Sequence, residues 1–165
     1  MISSTGALIL LVPVLPIAIW AAGSDLKRMK IPNLSVLALA LVWPALGWLA
    51  VDTWASWAWG FALMGIVLVS GFLLYTTGTF GAGDAKFAAA MAPIFVGSSI
   101  ARFLLILLVC MIGALILHRI ARSIPAIRKM TPDWQSWEQR RYFPLGLALS
   151  AIVVFYLVLA IWPQV

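Results

Sequence analysis

The chain has 165 residues, of which 64% are hydrophobic and 10% charged, and its mean hydropathy is +1.08. Soluble domains are about half apolar and a quarter charged, so these values exclude a water-soluble fold and imply an all-α, polytopic membrane protein. The formal charge of +6 does not imply nucleic acid as a partner. Its basic residues stand in short runs between long uncharged stretches, the pattern of a membrane protein's inner loops.

Charges divide the chain into uncharged runs at 1–24, 31–51, 53–83, 87–101, 103–118 and 142–165. A spanning helix needs ~20 apolar residues, so about six transmembrane helices are predicted in one integral membrane domain covering 1–165. The first run is followed, not preceded, by Lys27, Arg28 and Lys30, so it reads as a retained membrane helix rather than a signal peptide. Pro13, Pro16, Pro44 and Pro93 fall inside apolar runs, where kinks are expected. Trp54, Trp57 and Trp59 fit an interfacial aromatic belt at the second outer turn.

The fourth and fifth runs are short and are expected to recruit neighbours such as Ala85 or Lys86. Gly97, Ser98 and Ser99 mark the break between them, and Arg102 snorkels there. Cys110 is the one cysteine, which excludes an intramolecular disulfide and a cysteine-cluster zinc site; it reads as a small core residue. His118, the one histidine, sits among Arg119 and Arg122 and reads as an interfacial polar residue. Further on, Thr131-Pro132-Asp133 predicts the start of a short helix. Trp134 and Trp137 would share a face of that helix and lay it along the inner lipid surface, with Arg140 and Arg141 following.

Six crossings with the N-terminus outside put ten of the eleven basic residues in inner loops and leave Arg102 outside, as the positive-inside rule requires. Of the five acidic residues, Asp52 then lies in an outer turn and Asp133 and Glu138 in the charged inner loop. Asp25 follows helix one and Asp84 opens helix four. Two complete crossings separate them, so both emerge on the inner side and can meet.

Asp84 stands in Gly81-Ala82-Gly83-Asp84-Ala85-Lys86 with apolar sequence on both sides. An ionised carboxylate at a membrane helix centre costs ~2.5–3.5 kcal/mol on insertion scales, so such a group usually faces a wet cavity and serves function. The glycines permit close approach of an extended chain. Peptide hydrolysis needs one carboxylate to activate water and another, protonated, to assist the carbonyl oxygen and then the leaving amine. Two adjacent aspartates share one proton, because like charges brought close do not both ionise cheaply. That dyad is the hydrolytic chemistry the residues best equip; no metal and no cofactor is expected.

Asp25 with its basic neighbours and Ile31-Pro32-Asn33, followed by Gly81-Ala82-Gly83-Asp84-Ala85-Lys86, resembles the type IV prepilin peptidases, membrane aspartic proteases of bacteria with a Gly-x-Gly-Asp motif. Pro144-Leu145-Gly146 before the last run is similar to the family's Pro-aromatic-Gly, with Leu145 in place of the aromatic, and carries no assigned role. The resemblance implies a bacterial inner-membrane protease, its site facing the cytoplasm, that removes the basic leader of a pilin precursor just before the precursor's hydrophobic helix. Asp25 and Asp84 map onto the catalytic pair, and Gly81, Gly83, Lys86, Pro32 and Asn33 are the supporting residues. Lys86 would hold a lipid phosphate, orient a carboxylate or set membrane orientation; Asn33 most simply starts helix two.

Larger members also methylate the new N-terminus and carry a cysteine-paired inner domain after the first helix. Here that loop has about ten residues, so methylation is not expected, and the short form resembles the enzymes of tight-adherence pilus systems. Alternatives remain open at this point. Presenilin-type intramembrane proteases also use Gly-x-Gly-Asp, although their first aspartate usually follows a tyrosine, and here Ser24 precedes Asp25. A proton-coupled transporter would also place carboxylates at membrane depth, and a noncatalytic assembly subunit would use polar loops to dock other membrane proteins.

Overall fold

A computed structural model describes residues 2–78, 80–139 and 143–162, and all its regular structure is helical. The elements are α1 (Ser4–Arg28), α2 (Asn33–Leu46), α3 (Trp54–Thr76), α4 (Ala82–Met91), α5 (Ile100–Ser123), α6 (Pro125–Met130) and α7 (Leu145–Ile161). Short 3-10 turns at Gly47–Leu49, Ala92–Phe95 and Gln135–Trp137 supplement them. Helices α1, α2, α3, α5 and α7 fall on apolar runs, while α4 starts before the fourth run, takes in Asp84 and Lys86, and ends at Met91.

Local chemistry explains the helix limits. Ser3, Thr53 and Ser99 cap α1, α3 and α5, each accepting a backbone N–H three residues on, which satisfies an otherwise orphan donor. Helix α1 stops where Met29 adopts a left-handed conformation, φ 53°, so the chain reverses within a few residues into Pro32, whose fixed φ opens α2. Gly97 supplies a positive φ of 71° at the predicted break before α5.

Two expectations for the loop after α5 are overturned. No helix starts at Thr131: α6 comes earlier, opened by Pro125 at its first position, and Thr131 ends it by donating its hydroxyl to the Ile127 carbonyl at 2.8 Å. Trp137 does not face lipid. It is 4% exposed, its indole N–H donates to the Thr131 carbonyl at 3.0 Å, and its ring stacks on His118 and Trp134 at 5.2 and 5.3 Å. His118 is therefore buried, not interfacial, because the indole covers it. Arg140 and Arg141 lie outside the described residues, as does Thr79 of the glycine-rich loop.

Helix α7 is the hub. It packs against α1, α5 and α4, while α4 packs against α3, α2 and α7, and eight of the 17 residues of α7 are buried. Helix α3, by contrast, buries only Gly60 and Gly71 and exposes Ile66, Val69, Phe72 and Leu73. Helices α1, α3 and α5 are long and apolar enough to cross a membrane, with α2 and α7 as shorter apolar helices. A chain exposing this much apolar side chain is stable only in an apolar solvent.

Successive helices alternate in direction. At one end Ser3 N–H donates to the Ala50 carbonyl at 3.1 Å, Trp43 and Trp57 exchange indole-to-carbonyl hydrogen bonds at 3.0 and 3.4 Å, and Phe95 packs on Phe103 and Tyr156. At the other end the C-termini of α1, α3 and α5 meet the N-termini of α2, α4 and α7. Both Asp25 and Asp84 belong to this second end.

Candidate active site

Asp25 lies in the last turn of α1 and is 5% exposed. Burying a carboxylate without a donor is expensive, and here the donor comes from 121 residues away: the Gly146 N–H donates to Asp25 Oδ2 at 2.7 Å. That N–H is free to do so because Gly146 occupies the first turn of α7, where backbone donors have no intrahelical partner. A Cβ at Gly146 would stand 2.9 Å from Asp25 Oδ2 and 2.9 Å from Ile31 Cδ1, so only glycine lets the backbone approach so closely.

Asp84 is the third residue of α4, after Gly81 at the N-cap, and accepts a hydrogen bond from the Gly81 backbone N–H. This is the reciprocal half of a capping box, and a carboxylate there also meets the positive end of the helix dipole. A Cβ on Gly81 would strike Asp84 Oδ2. Asp84 is half-buried and lies close enough to Asp25 for the two negative charges to repel each other. The two carboxylates are therefore coupled across 58 intervening residues.

Ile31 closes the arrangement. Its side chain lies against Gly146, and a Cβ at Gly83 would rest on it at 3.6 Å. The left-handed Met29 makes this possible by turning the chain back under α1, with the Ser24 hydroxyl donating to the Lys30 carbonyl at 3.0 Å. One apolar side chain thus touches the neighbours of both acids, Gly146 beside Asp25 and Gly83 beside Asp84.

The other sequence-derived positions are less central. Pro32 caps α2 and its carbonyl accepts the Ser35 hydroxyl at 2.8 Å. Asn33 is the first residue of α2 and exposed. Lys86 is exposed on α4 and forms no ion pair with a described residue. Pro144-Leu145-Gly146 proves to be the segment that holds Asp25, and the signal for it is a glycine just after proline at the opening of the last apolar run. Ile31 has no signal beyond its apolar character between charged and polar residues. Among the described residues no group of three His, Cys, Asp or Glu side chains gathers that could hold a metal.

Beside the site, an apolar groove of about 370 Å³ runs between α3, α4 and α5, lined among others by Leu63, Phe80, Ala88, Phe95 and Leu107. Phe80 adjoins the loop before Asp84. Residues 12–118, more than half of the chain and including both aspartates, match the type IV leader peptidase family. No curated protein and no solved structure matches the chain.

Proposed function

The chain belongs to the type IV leader peptidase family, which makes it a protease, and from that premise we propose that it is an aspartic endopeptidase using Asp25 and Asp84 as its catalytic dyad. The observation that carries the reading is the convergence of two carboxylates from distant parts of the chain, buried Asp25 tied to the Gly146 N–H and half-buried Asp84 held at the start of α4 beside it. Asp25, fixed by a buried N–H, takes the proton of the attacking water. Asp84 holds the shared proton and gives it to the carbonyl oxygen and then to the leaving amine. Because the two protons are coupled, these roles describe the pair in its singly protonated state.

Its substrates on this reading are pilin precursors, cut between a basic leader and a hydrophobic helix, in a short form of the enzyme like that of tight-adherence pilus systems. Six crossings with the N-terminus outside put the dyad at the cytoplasmic face of the bacterial inner membrane. The apolar groove suits the precursor's helix, since it opens between α3 and α5 and ends near Phe80. Gly81 and Gly83 leave room for the extended scissile segment, Pro32 and Asn33 fix the turn that carries Ile31, and Lys86 marks the inner surface.

Asp25→Asn and Asp84→Asn test the proposal. Each is expected to lower precursor cleavage, read as the mass of the released product in vesicles, by roughly 10²–10⁴-fold while the protein still inserts. Cleavage at the normal rate in either variant refutes the dyad.

A further inference from the structure

The inner-face loop after α5 builds a cleft of about 550 Å³, distinct from the dyad, lined by Arg122, Arg128, Lys129, Trp137 and Glu138 among others. Three of these side chains are cationic and one is anionic. None is engaged in an ion pair with another described residue, so three unneutralised cations surround one opening. Its wall is rigid. Trp137 is pinned by hydrogen bonds from its indole N–H to the Thr131 carbonyl and hydroxyl at 3.0 and 3.1 Å and is stacked between His118 and Trp134.

Position narrows the ligand. Arg122 lies in the last turn of α5, a 24-residue helix long and apolar enough to cross a membrane, so the cleft sits where that helix leaves the hydrocarbon. Leu117 and Ile120, less than two turns before it, are apolar and more than half exposed, so α5 carries Arg122 straight out of its apolar surroundings. Guanidinium groups match phosphate oxygens through paired N–H donors, and lysine adds a point charge.

We propose that this cleft is a binding site for a phosphate group, supplied by an anionic phospholipid whose headgroup meets Arg122, Arg128 and Lys129 and whose acyl chains enter the hydrocarbon that α5 leaves at that point. Glu138 opposes the anion and leaves a net charge of two positive units on these four side chains. That residual charge favours a singly charged phosphodiester over a neutral or zwitterionic headgroup. The site does not depend on the proteolytic reading, since neither Asp25 nor Asp84 belongs to it.

The test uses the full chain in a nonionic detergent, with lipid adducts counted by native mass spectrometry. Phosphatidylglycerol is titrated against phosphatidylcholine for the wild type, for Arg122→Gln/Arg128→Gln/Lys129→Gln, and for a control of equal charge, Lys27→Gln/Arg28→Gln/Lys30→Gln. A basic side chain near an anionic surface is worth about fivefold in affinity, so the cleft variant is expected to lose roughly 100-fold for phosphatidylglycerol and the control far less. Lys129→Gln alone, a single exposed change, is expected to lose about fivefold and guards against misfolding of the triple variant. An adduct unaffected by excess inorganic phosphate identifies the lipid as the source. Displacement by phosphate keeps the phosphate site but assigns it to the free ion. Equal affinity of the wild type for both lipids, or equal losses in the two triple variants, overturns the proposal.

Discussion

At Gly146 a single missing side chain serves two demands at once, a backbone donor for Asp25 and space for Ile31. Gly146→Ala would push a methyl group against both, so it is expected to destabilise the protein by about 1–3 kcal/mol and to cut precursor cleavage at least tenfold. Thermal unfolding in detergent and product mass check the two effects separately. The dyad gives a pH signature: cleavage by the wild type is expected to follow a bell-shaped pH profile, because only the singly protonated pair has both the base and the acid the reaction needs, and a flat profile would contradict the shared proton.

Among the elements, α4 is short, buried over much of its length and held by close backbone approach. A Cβ at Gly71 of α3 would stand 2.9 Å from the Ala85 Cβ and 3.2 Å from its Cα, and Ala85 is the residue after Asp84. Gly71→Leu should therefore displace the start of α4 and lower cleavage by tenfold or more, while leaving membrane insertion intact, as judged by alkaline extraction. Normal cleavage would show that α4 tolerates the displacement. Gly60 plays the corresponding part at the far end, where a Cβ would strike the Trp43 indole. Helix α3 thus turns its two buried glycines toward α2 and α4 and gives most of its remaining surface to the apolar surroundings.

Across the whole molecule, charge and chemistry share one end. Lys27, Arg28, Lys30, Lys86, Arg119, Arg122, Arg128 and Lys129 lie with the two aspartates, whereas Arg102 lies at the opposite end beside Ser3 and Tyr156. The proposed topology follows from this asymmetry and the positive-inside rule. Single cysteines at Gly97 and Lys129, in a Cys110→Ser background, test it in intact cells: an impermeant thiol reagent should label the first and spare the second. The reverse pattern would put the dyad on the outer face. On the proposed reading a basic leader would approach this basic end, and an anionic headgroup held in the Arg122 cleft would offset part of that repulsion.

Hydrophobic run length was enough to locate α1, α3 and α5, each long and apolar enough to cross a membrane, and the shorter α2 and α7, whereas α4 has only ten residues and begins before the run expected to hold it. Alternating crossings placed Asp25 and Asp84 at one end, since an even number of crossings lies between them. The same logic failed at Thr131 and Trp137, where a cap signal was spent on ending α6 and an aromatic was drawn inward by His118. Nor does any local pattern distinguish α7, buried at the hub, from α3 at the rim: both are apolar all round, and in lipid that property says nothing about which neighbour covers a face. Only the packed structure joins Gly146 to Asp25 and sets Ile31 against the neighbours of both acids, because a hydrogen bond between residues 121 apart depends on how helices stack, which no short window of sequence records.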